Sequence, residues 1–100
     1  MKYQLREELE DFANFMEKVL RENDYKGERG WEDMPIEDLV KRMQQEMDEL
    51  KIEYYCHSNP DRLENIQKEC ADVANFAMMT YDLVKLYRLA ANVNPKRPSE

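Results

Sequence analysis

This chain contains only two glycines and four prolines, so it has few of the residues that form tight turns or interrupt helices. Charged residues make up 37% of the 100 positions, and leucine, methionine, alanine, glutamate and lysine are frequent. Such a composition favours helices and leaves little material for strands. The sequence therefore predicts an all-α protein.

Basic residues are scarce relative to acidic ones. The chain has 15 lysines and arginines against 22 aspartates and glutamates, which gives a formal net charge of −7. Because nucleic-acid binding draws its affinity from basic side chains that neutralise phosphates, we expect no nucleic-acid partner. An anionic ligand would need a bridging metal ion or a local basic patch.

The chain also lacks disulfide, signal and membrane patterns. Its two cysteines, Cys56 and Cys70, form no CxxC pair and are too few for a disulfide framework, which is typical of a reducing compartment. The first residues, MKYQLREELEDF, have no apolar core of a signal peptide, and no uncharged apolar run reaches membrane-spanning length. We expect a cytoplasmic protein with no membrane partner.

Helical periodicity divides the chain into three segments. It predicts a first helix over 3–23, a connecting loop over 24–34, and a second helix over 35–56 with its proline at the first helical position. Asn59 is suited to cap a third helix, which spans roughly 60–90.

The third helix predicts contacts that one chain cannot supply alone. It is apolar on almost all sides through ADVANFAMMTYDLV, and such a helix needs several neighbours. We expect an antiparallel hairpin of the second and third helices, joined by the N-terminal helix, with four-helix-bundle-like packing completed by oligomerisation. A homodimer or homotetramer is expected, with one domain over 1–91 and a mobile tail over 92–100.

Two pairs of carboxylates stand out on the hairpin. Glu46 and Glu49 flank the apolar stripe of the second helix, and Glu69 and Asp72 repeat the same three-residue step on the third. The stripe itself consists of Ile36, Leu39, Val40, Met43, Met47 and Leu50.

The two pairs are predicted to lie at the same height of the hairpin. At 1.5 Å per residue, Glu49 and Glu46 lie roughly 14 and 19 Å from the turn, and Glu69 and Asp72 roughly 16 and 20 Å. Converging carboxylates repel one another, and a hard divalent cation such as magnesium removes that repulsion. The alternative is that all four are solvated charges at the edges of two amphipathic helices.

At these residues the sequence resembles the all-α nucleotide pyrophosphohydrolase superfamily, which includes MazG-like proteins and dimeric dUTPases. Its mark is ExxE followed by ExxD, here EMDE from Glu46 to Glu49 and ECAD from Glu69 to Asp72. The similarity is to small single-domain MazG-like members and extends over about 23–83.

This resemblance implies hydrolysis of a nucleoside triphosphate between its α- and β-phosphates, which gives the monophosphate and pyrophosphate. Magnesium, or manganese in its place, would be bound by Glu46, Glu49, Glu69 and Asp72. Glu46 and Glu49 are the implied catalytic residues, with Glu49 the candidate that orients or deprotonates the attacking water.

Four further residues are candidates for substrate binding. Asn75 follows Asp72 by one turn and would bind sugar or phosphate, unless it is a plain surface amide. Asn23, Lys26 and Trp31 belong to a polar, tryptophan-bearing segment like the one before the ExxE helix in similar small proteins. Lys26 would contact a phosphate and Trp31 would stack on a base, or the tryptophan instead covers the end of the core.

Other functional classes are open or excluded on spacing. A non-catalytic helical module whose acidic edge docks a basic partner is the alternative function. A zinc site is disfavoured because Cys56 and His57 diverge by about 100° on a helix and only Cys70 remains. A dinuclear oxidase site would need Glu-x-x-His, which the chain lacks. Glu53 is either a reserve ligand or a surface charge.

Overall fold

The computed structural model describes residues 2–23 and 30–93, and in these ranges all regular structure is helical. The three helices are α1 (Glu7–Glu22), α2 (Ile36–Tyr55) and α3 (Arg62–Val93). The prediction of an all-α protein is confirmed for the described part of the chain. None of these helices combines the length and the apolar character needed to cross a membrane. α3 includes the first two residues of the predicted 92–100 tail, and the rest of that tail lies outside the described residues.

α1 begins later than the periodicity predicts. The predicted start was residue 3, but the residues before Glu7 are not helical, and Arg6 has an extended backbone with φ −67° and ψ 154°. Glu7, Glu8 and Glu10 fill the first turn. Negative side chains there interact favourably with the positive end of the helix dipole, so the helix starts where the acidic run starts.

α2 begins one residue after the predicted position. Pro35 precedes the helix with an extended backbone, φ −61° and ψ 141°, instead of occupying its first helical position. The proline ring fixes φ at a value that both conformations share, so ψ decides between them. The carbonyl of Pro35 still accepts the first helical hydrogen bonds, from the backbone N–H groups of Asp38 and Leu39 at 3.0 and 3.3 Å.

The turn between α2 and α3 is held by two polar side chains. The Asn59 side-chain oxygen accepts a hydrogen bond from the backbone N–H of Asp61 at 2.9 Å, which holds the turn before α3 instead of capping the helix directly, because α3 begins at Arg62. The Arg62 guanidinium donates from Nε and Nη2 to the backbone carbonyl of Tyr54, at 3.0 and 2.6 Å. This carbonyl is among those at the end of α2 that have no helical partner, so Arg62 both closes the turn and opens α3.

α2 and α3 form the antiparallel hairpin that the sequence predicts. Contacting side chains step away from the turn on both helices: Glu53 with Asn65, Glu46 with Glu69, and Arg42 with Phe76. α1 packs on α3 and makes no close backbone approach to α2 within the described residues. α3 is therefore the central helix of the fold.

The core forms where α2 and the segment before it meet α3. Its buried cluster consists of Trp31, Leu39, Phe76, Met79 and Leu83. The predicted apolar stripe of α2 is only partly inside, since Val40 is 49% exposed and Met47 41%. The reason is that α3 is the one helix whose backbone closely approaches α2 within the described residues, which covers a narrower strip than close neighbours on two sides would.

Leu39 should dominate the stability of the hairpin because it is completely buried. We expect Leu39→Ala to lower the free energy of unfolding by about 2–5 kcal/mol through lost burial and the cavity left behind. Leu63→Ala is the matched control, because Leu63 is 72% exposed and its truncation should change stability by less than about 0.5 kcal/mol. Urea denaturation measures both, and equal losses would contradict this placement of the core.

Candidate metal centre

Three carboxylates converge where α2 and α3 face each other. Glu46 and Glu49 come from successive turns of α2 and Glu69 from α3, and one oxygen of each lies within 4.8 Å of the other two. Glu46 is only 9% exposed, Glu69 is partly buried, and Glu49 is exposed. The hairpin register therefore brings charges of one sign together at the edge of the core.

Asp72 lies beside these three glutamates, but it is not one of the residues whose oxygens lie within 4.8 Å of one another. Its charge raises the pKa values of both Glu46 and Glu69, so it is close to each of them. It also lines the neighbouring cavity together with Glu46 and Glu49. Of the four predicted metal ligands, three are thus grouped within 4.8 Å, and the fourth lies on the adjoining cavity wall.

Burial perturbs Glu46 most strongly. Desolvation raises the pKa of Glu46 from 4.5 to about 8, with further increases from hydrogen bonds to Glu49 and Glu69 and from the charges of Glu49 and Asp72. Hydrogen bonding between Glu46 and Glu69 raises the pKa of Glu46 and lowers that of Glu69, so Glu46 is the acid of this pair that more readily keeps a proton.

The pKa values of the two partly buried acids, Glu69 and Asp72, shift in the same direction. Desolvation raises the pKa of Glu69, and the charges of Asp72 and Glu49 add to this increase. Desolvation also raises the pKa of Asp72, where the nearby positive charge of Lys68 opposes the shift and Glu49 reinforces it. All three pKa values are thus raised mainly by lost hydration and by neighbouring like charges, a pattern often found at functional sites.

Two buried oxygens at the site accept no hydrogen bond. They are Oε2 of Glu69 and Oδ1 of Asn75, whose side chain is only 3% exposed. The amide nitrogen of Asn75 donates to the backbone carbonyl of Met16 on α1 at 3.2 Å, which fixes the orientation of the amide. Both oxygens are acceptors, so a cation or a hydrogen-bond donor is the group that would satisfy them.

The ligand chemistry fits a hard divalent cation. All candidate ligands are oxygens, which magnesium and manganese prefer. One oxygen from each of three carboxylates lies within 4.8 Å of the others, so side-chain rotation could bring all three to one small cation.

A cavity of about 300 Å³ lies next to the carboxylates, where all three helices meet. Its lining combines acidic, amide, basic and apolar side chains. The lining residues are Leu20, Asn23, Arg42, Glu46, Glu49, Asp72, Asn75, Phe76 and Met79.

The four predicted substrate-binding residues do not all lie in the cavity. Asn75 and Asn23 both line the cavity, although Asn23 is exposed at the end of α1. Trp31 instead lies in the core, 6% exposed, and its indole N–H donates to the carboxylate of Asp82 at 3.0 Å. This is the position of a tryptophan that covers the end of a core. Lys26 lies outside the described residues.

The remaining sequence candidates do not belong to the group of converging carboxylates. Glu53 is one turn after Glu49, and its Oε1 accepts a hydrogen bond from the Asn65 amide at 3.4 Å near the turn. Cys56 is a free, exposed thiol, and the adjacent His57 is also exposed. Cys70, the other free thiol, is partly buried.

Sequence reasoning missed the basic and apolar parts of the cavity wall. Arg42 precedes Glu46 by one turn and Phe76 follows Asp72 by one turn, so helical periodicity alone places each on the side of its acidic neighbour. Leu20 carries no such signal, because its place on the wall depends on how α1 docks against α3.

Searches with protein-family models, of curated proteins and of solved structures found no match to this chain. The functional proposal therefore rests on the geometry of the chain's own residues and on the motif resemblance.

The raised pKa of Glu46 predicts an unusual pH dependence for the metal-free protein. Between about pH 4.5 and about pH 8 the folded state keeps a proton on Glu46 that the unfolded state has released. Because the folded state binds more protons, stability should fall as pH rises through this window and level off above it. Thermal denaturation in EDTA across this range measures the effect.

Glu46→Gln should remove the contribution of Glu46 to this pH dependence because the amide cannot ionise, while Glu69 and Asp72 keep their smaller contributions. At about pH 9 the variant should melt higher than the wild-type chain, and each kcal/mol gained corresponds to about 4–8 °C for a domain of this size. Near pH 4.5 the difference should vanish, since Glu46 is then protonated in the folded state. The control is Glu64→Gln, at an exposed position near the start of α3. An unchanged pH profile in Glu46→Gln would contradict the burial of this charge.

Proposed function

We propose that this protein is a magnesium-dependent nucleotide pyrophosphohydrolase that cleaves a nucleoside triphosphate to the monophosphate and pyrophosphate. The observation that carries the proposal is the convergence of Glu46, Glu49 and Glu69 from two antiparallel helices, with oxygens within 4.8 Å, beside a cavity. The buried, unpartnered Oδ1 of Asn75 in the same cavity is a second, independent sign of a ligand site. The ExxE and ExxD motifs, with their family resemblance, supply the reaction class.

The carboxylates differ in burial, and we assign cation binding to the less exposed ones and activation of water to the exposed one. Glu46 is buried and Glu69 is partly buried, and both would hold the cation, with the partly buried Asp72 as the neighbouring fourth acid. Glu49 is exposed and lines the cavity, so its free oxygen would orient or deprotonate the attacking water. Bound magnesium, or manganese, would supply the charge that screens phosphate oxygens and stabilises the leaving pyrophosphate.

The cavity suits part of a nucleotide. At about 300 Å³ it is at the small end of ligand pockets, which run to about 1,000 Å³. Leu20, Phe76 and Met79 provide apolar surface for a base or sugar, while Asn75 and Asn23 provide hydrogen-bonding groups. We place Trp31 behind this wall as a core residue, and a phosphate contact by Lys26 stays a prediction.

Exposed apolar residues support an oligomer. Val40 and Met47 on α2, and Tyr81, Tyr87 and Leu89 on α3, are each between 41% and 71% exposed. We propose that a second copy covers such surface and completes four-helix packing, as a homodimer or homotetramer. The active unit would be the helical domain within 1–91, in the cytoplasm, where nucleotides and free thiols are both found.

The activity assay should use the full chain with a panel of canonical and modified triphosphates. We expect pyrophosphate release that requires added magnesium or manganese and stops with EDTA. Glu49→Gln and Glu69→Gln should each lower kcat/KM by about 100-fold or more, because each removes a charge from the site. Glu64→Gln, at an exposed position, should leave it unchanged.

Several outcomes would overturn the proposal. Pyrophosphate release that persists in EDTA, or that survives both glutamine substitutions, would remove the carboxylates from the chemistry. No release from any triphosphate, with no thermal shift on adding magnesium, would favour the alternative function, a non-catalytic acidic helical module. In that case the same substitutions would weaken a complex with a basic partner.

A further inference from the structure

Arg42 is the basic side chain among the described residues that line the acidic cavity. It lies one turn before Glu46 on α2, so Arg42, Glu46 and Glu49 follow one another along the same side of the helix. Its guanidinium carbon is 5.2 Å from the centroid of the Phe76 ring on α3. The charge is thus held at the cavity wall by an aromatic side chain that is itself only 8% exposed.

The positive charge of Arg42 is not used in an ion pair with the neighbouring acids. Within residues 2–23 and 30–93 no ion pair links Arg42 to a carboxylate, although Glu46 and Glu49 line the same cavity. Contact with the Phe76 face leaves the in-plane N–H groups of the guanidinium available to another acceptor.

A polyphosphate that binds in this cavity needs a positively charged side chain there. Glu49 and Asp72 also line it, and their charges repel an anion unless positive charge is present on more than one side. A cation at the carboxylate cluster would offset repulsion on that side only. Arg42 supplies fixed positive charge at another point of the same wall, in a planar fork that matches two phosphate oxygens.

We propose that Arg42 binds non-bridging oxygens of the substrate's polyphosphate chain and so selects triphosphates over monophosphates. The assignment rests on the proposed function, because it names the part of the substrate that this residue recognises. Phe76 acts as a positioning residue, since its ring holds the guanidinium in place. Lysine at this position would keep the charge but lose the fork and much of the stacking.

The test measures binding apart from turnover. The probe is a nucleoside triphosphate with a methylene group in place of the α,β-bridging oxygen, titrated with magnesium into the full chain by calorimetry. We expect Arg42→Gln to weaken this binding about tenfold or more and Arg42→Lys to weaken it less. Binding of the corresponding monophosphate, and of magnesium alone, should change by less than about twofold.

The matched control is Lys41→Gln. Lys41 is the adjacent basic residue on α2, but it pairs with Glu37 at 3.4 Å and does not line the cavity. This substitution removes the same charge and should leave analogue binding unchanged. Thermal denaturation of each variant shows whether the fold persists, and Arg42→Lys keeps the charge if Arg42→Gln does not fold.

The two proposals fail in distinguishable ways. If the wild-type chain binds the analogue and Arg42→Gln binds it equally well, the assignment of Arg42 is wrong while the proposed function stands. Equal weakening by Lys41→Gln would also overturn it, since the effect would then be one of net charge. If the wild-type chain binds no analogue with magnesium present, both proposals are overturned.

Discussion

The burial of Glu46 among other acids is the constraint on which the site depends. Glu46 is 9% exposed, and the acids Glu49, Glu69 and Asp72 lie close enough to raise its pKa. A carboxylate in such surroundings loses hydration and gains only repulsion, so the fold must supply a proton or a cation. The raised pKa of Glu46 and the metal-binding hypothesis are therefore two consequences of one arrangement. A site that holds a proton in the absence of metal exchanges it when a metal binds.

The hairpin register creates this arrangement, and the turn sets the register. Asn59 and Arg62 fix where α3 starts relative to the last carbonyl groups of α2. From that point, a rise of about 1.5 Å per residue places Glu46 opposite Glu69 with little freedom. A change of one residue in the turn would rotate the facing side chains by about 100° and separate the two acids. The turn thus determines whether the carboxylates converge, although it lies several helical turns from them.

The sequence predicted those features that follow from helical geometry alone. Three helices, the antiparallel hairpin and the common height of the acidic pairs depend on rise per residue, periodicity and a recognisable turn. Helix ends were less accurate, because the starts at Glu7 and Ile36 depend on the local balance of dipole, capping and ψ preferences. The exposure of Val40 and Met47 could not be predicted, since it depends on which helices lie next to α2.

Long-range partners also escaped prediction. Trp31 was a candidate for base stacking, and its hydrogen bond to Asp82 joins positions 51 residues apart. Neither residue carries a local signal for that contact. The same holds for Arg42, whose position over Phe76 depends on the packing of α2 against α3. Spacing within a helix identifies which groups share a side, but packing between helices decides what each side faces.

The positions of hydrogen-bond donors and acceptors on the cavity wall favour one orientation of the proposed substrate. The Asn75 amide nitrogen donates to the carbonyl of Met16, which leaves its buried oxygen as an acceptor without a donor in a residue that lines the cavity. A phosphate oxygen, itself an acceptor, cannot satisfy that group, whereas a sugar hydroxyl or a base amino group can. Arg42 has only donors to offer and suits phosphate. Under the proposed function, the nucleoside part therefore lies toward Asn75 and α1 and the polyphosphate toward Arg42, with the carboxylates of α2 and α3 at the bond to be cleaved.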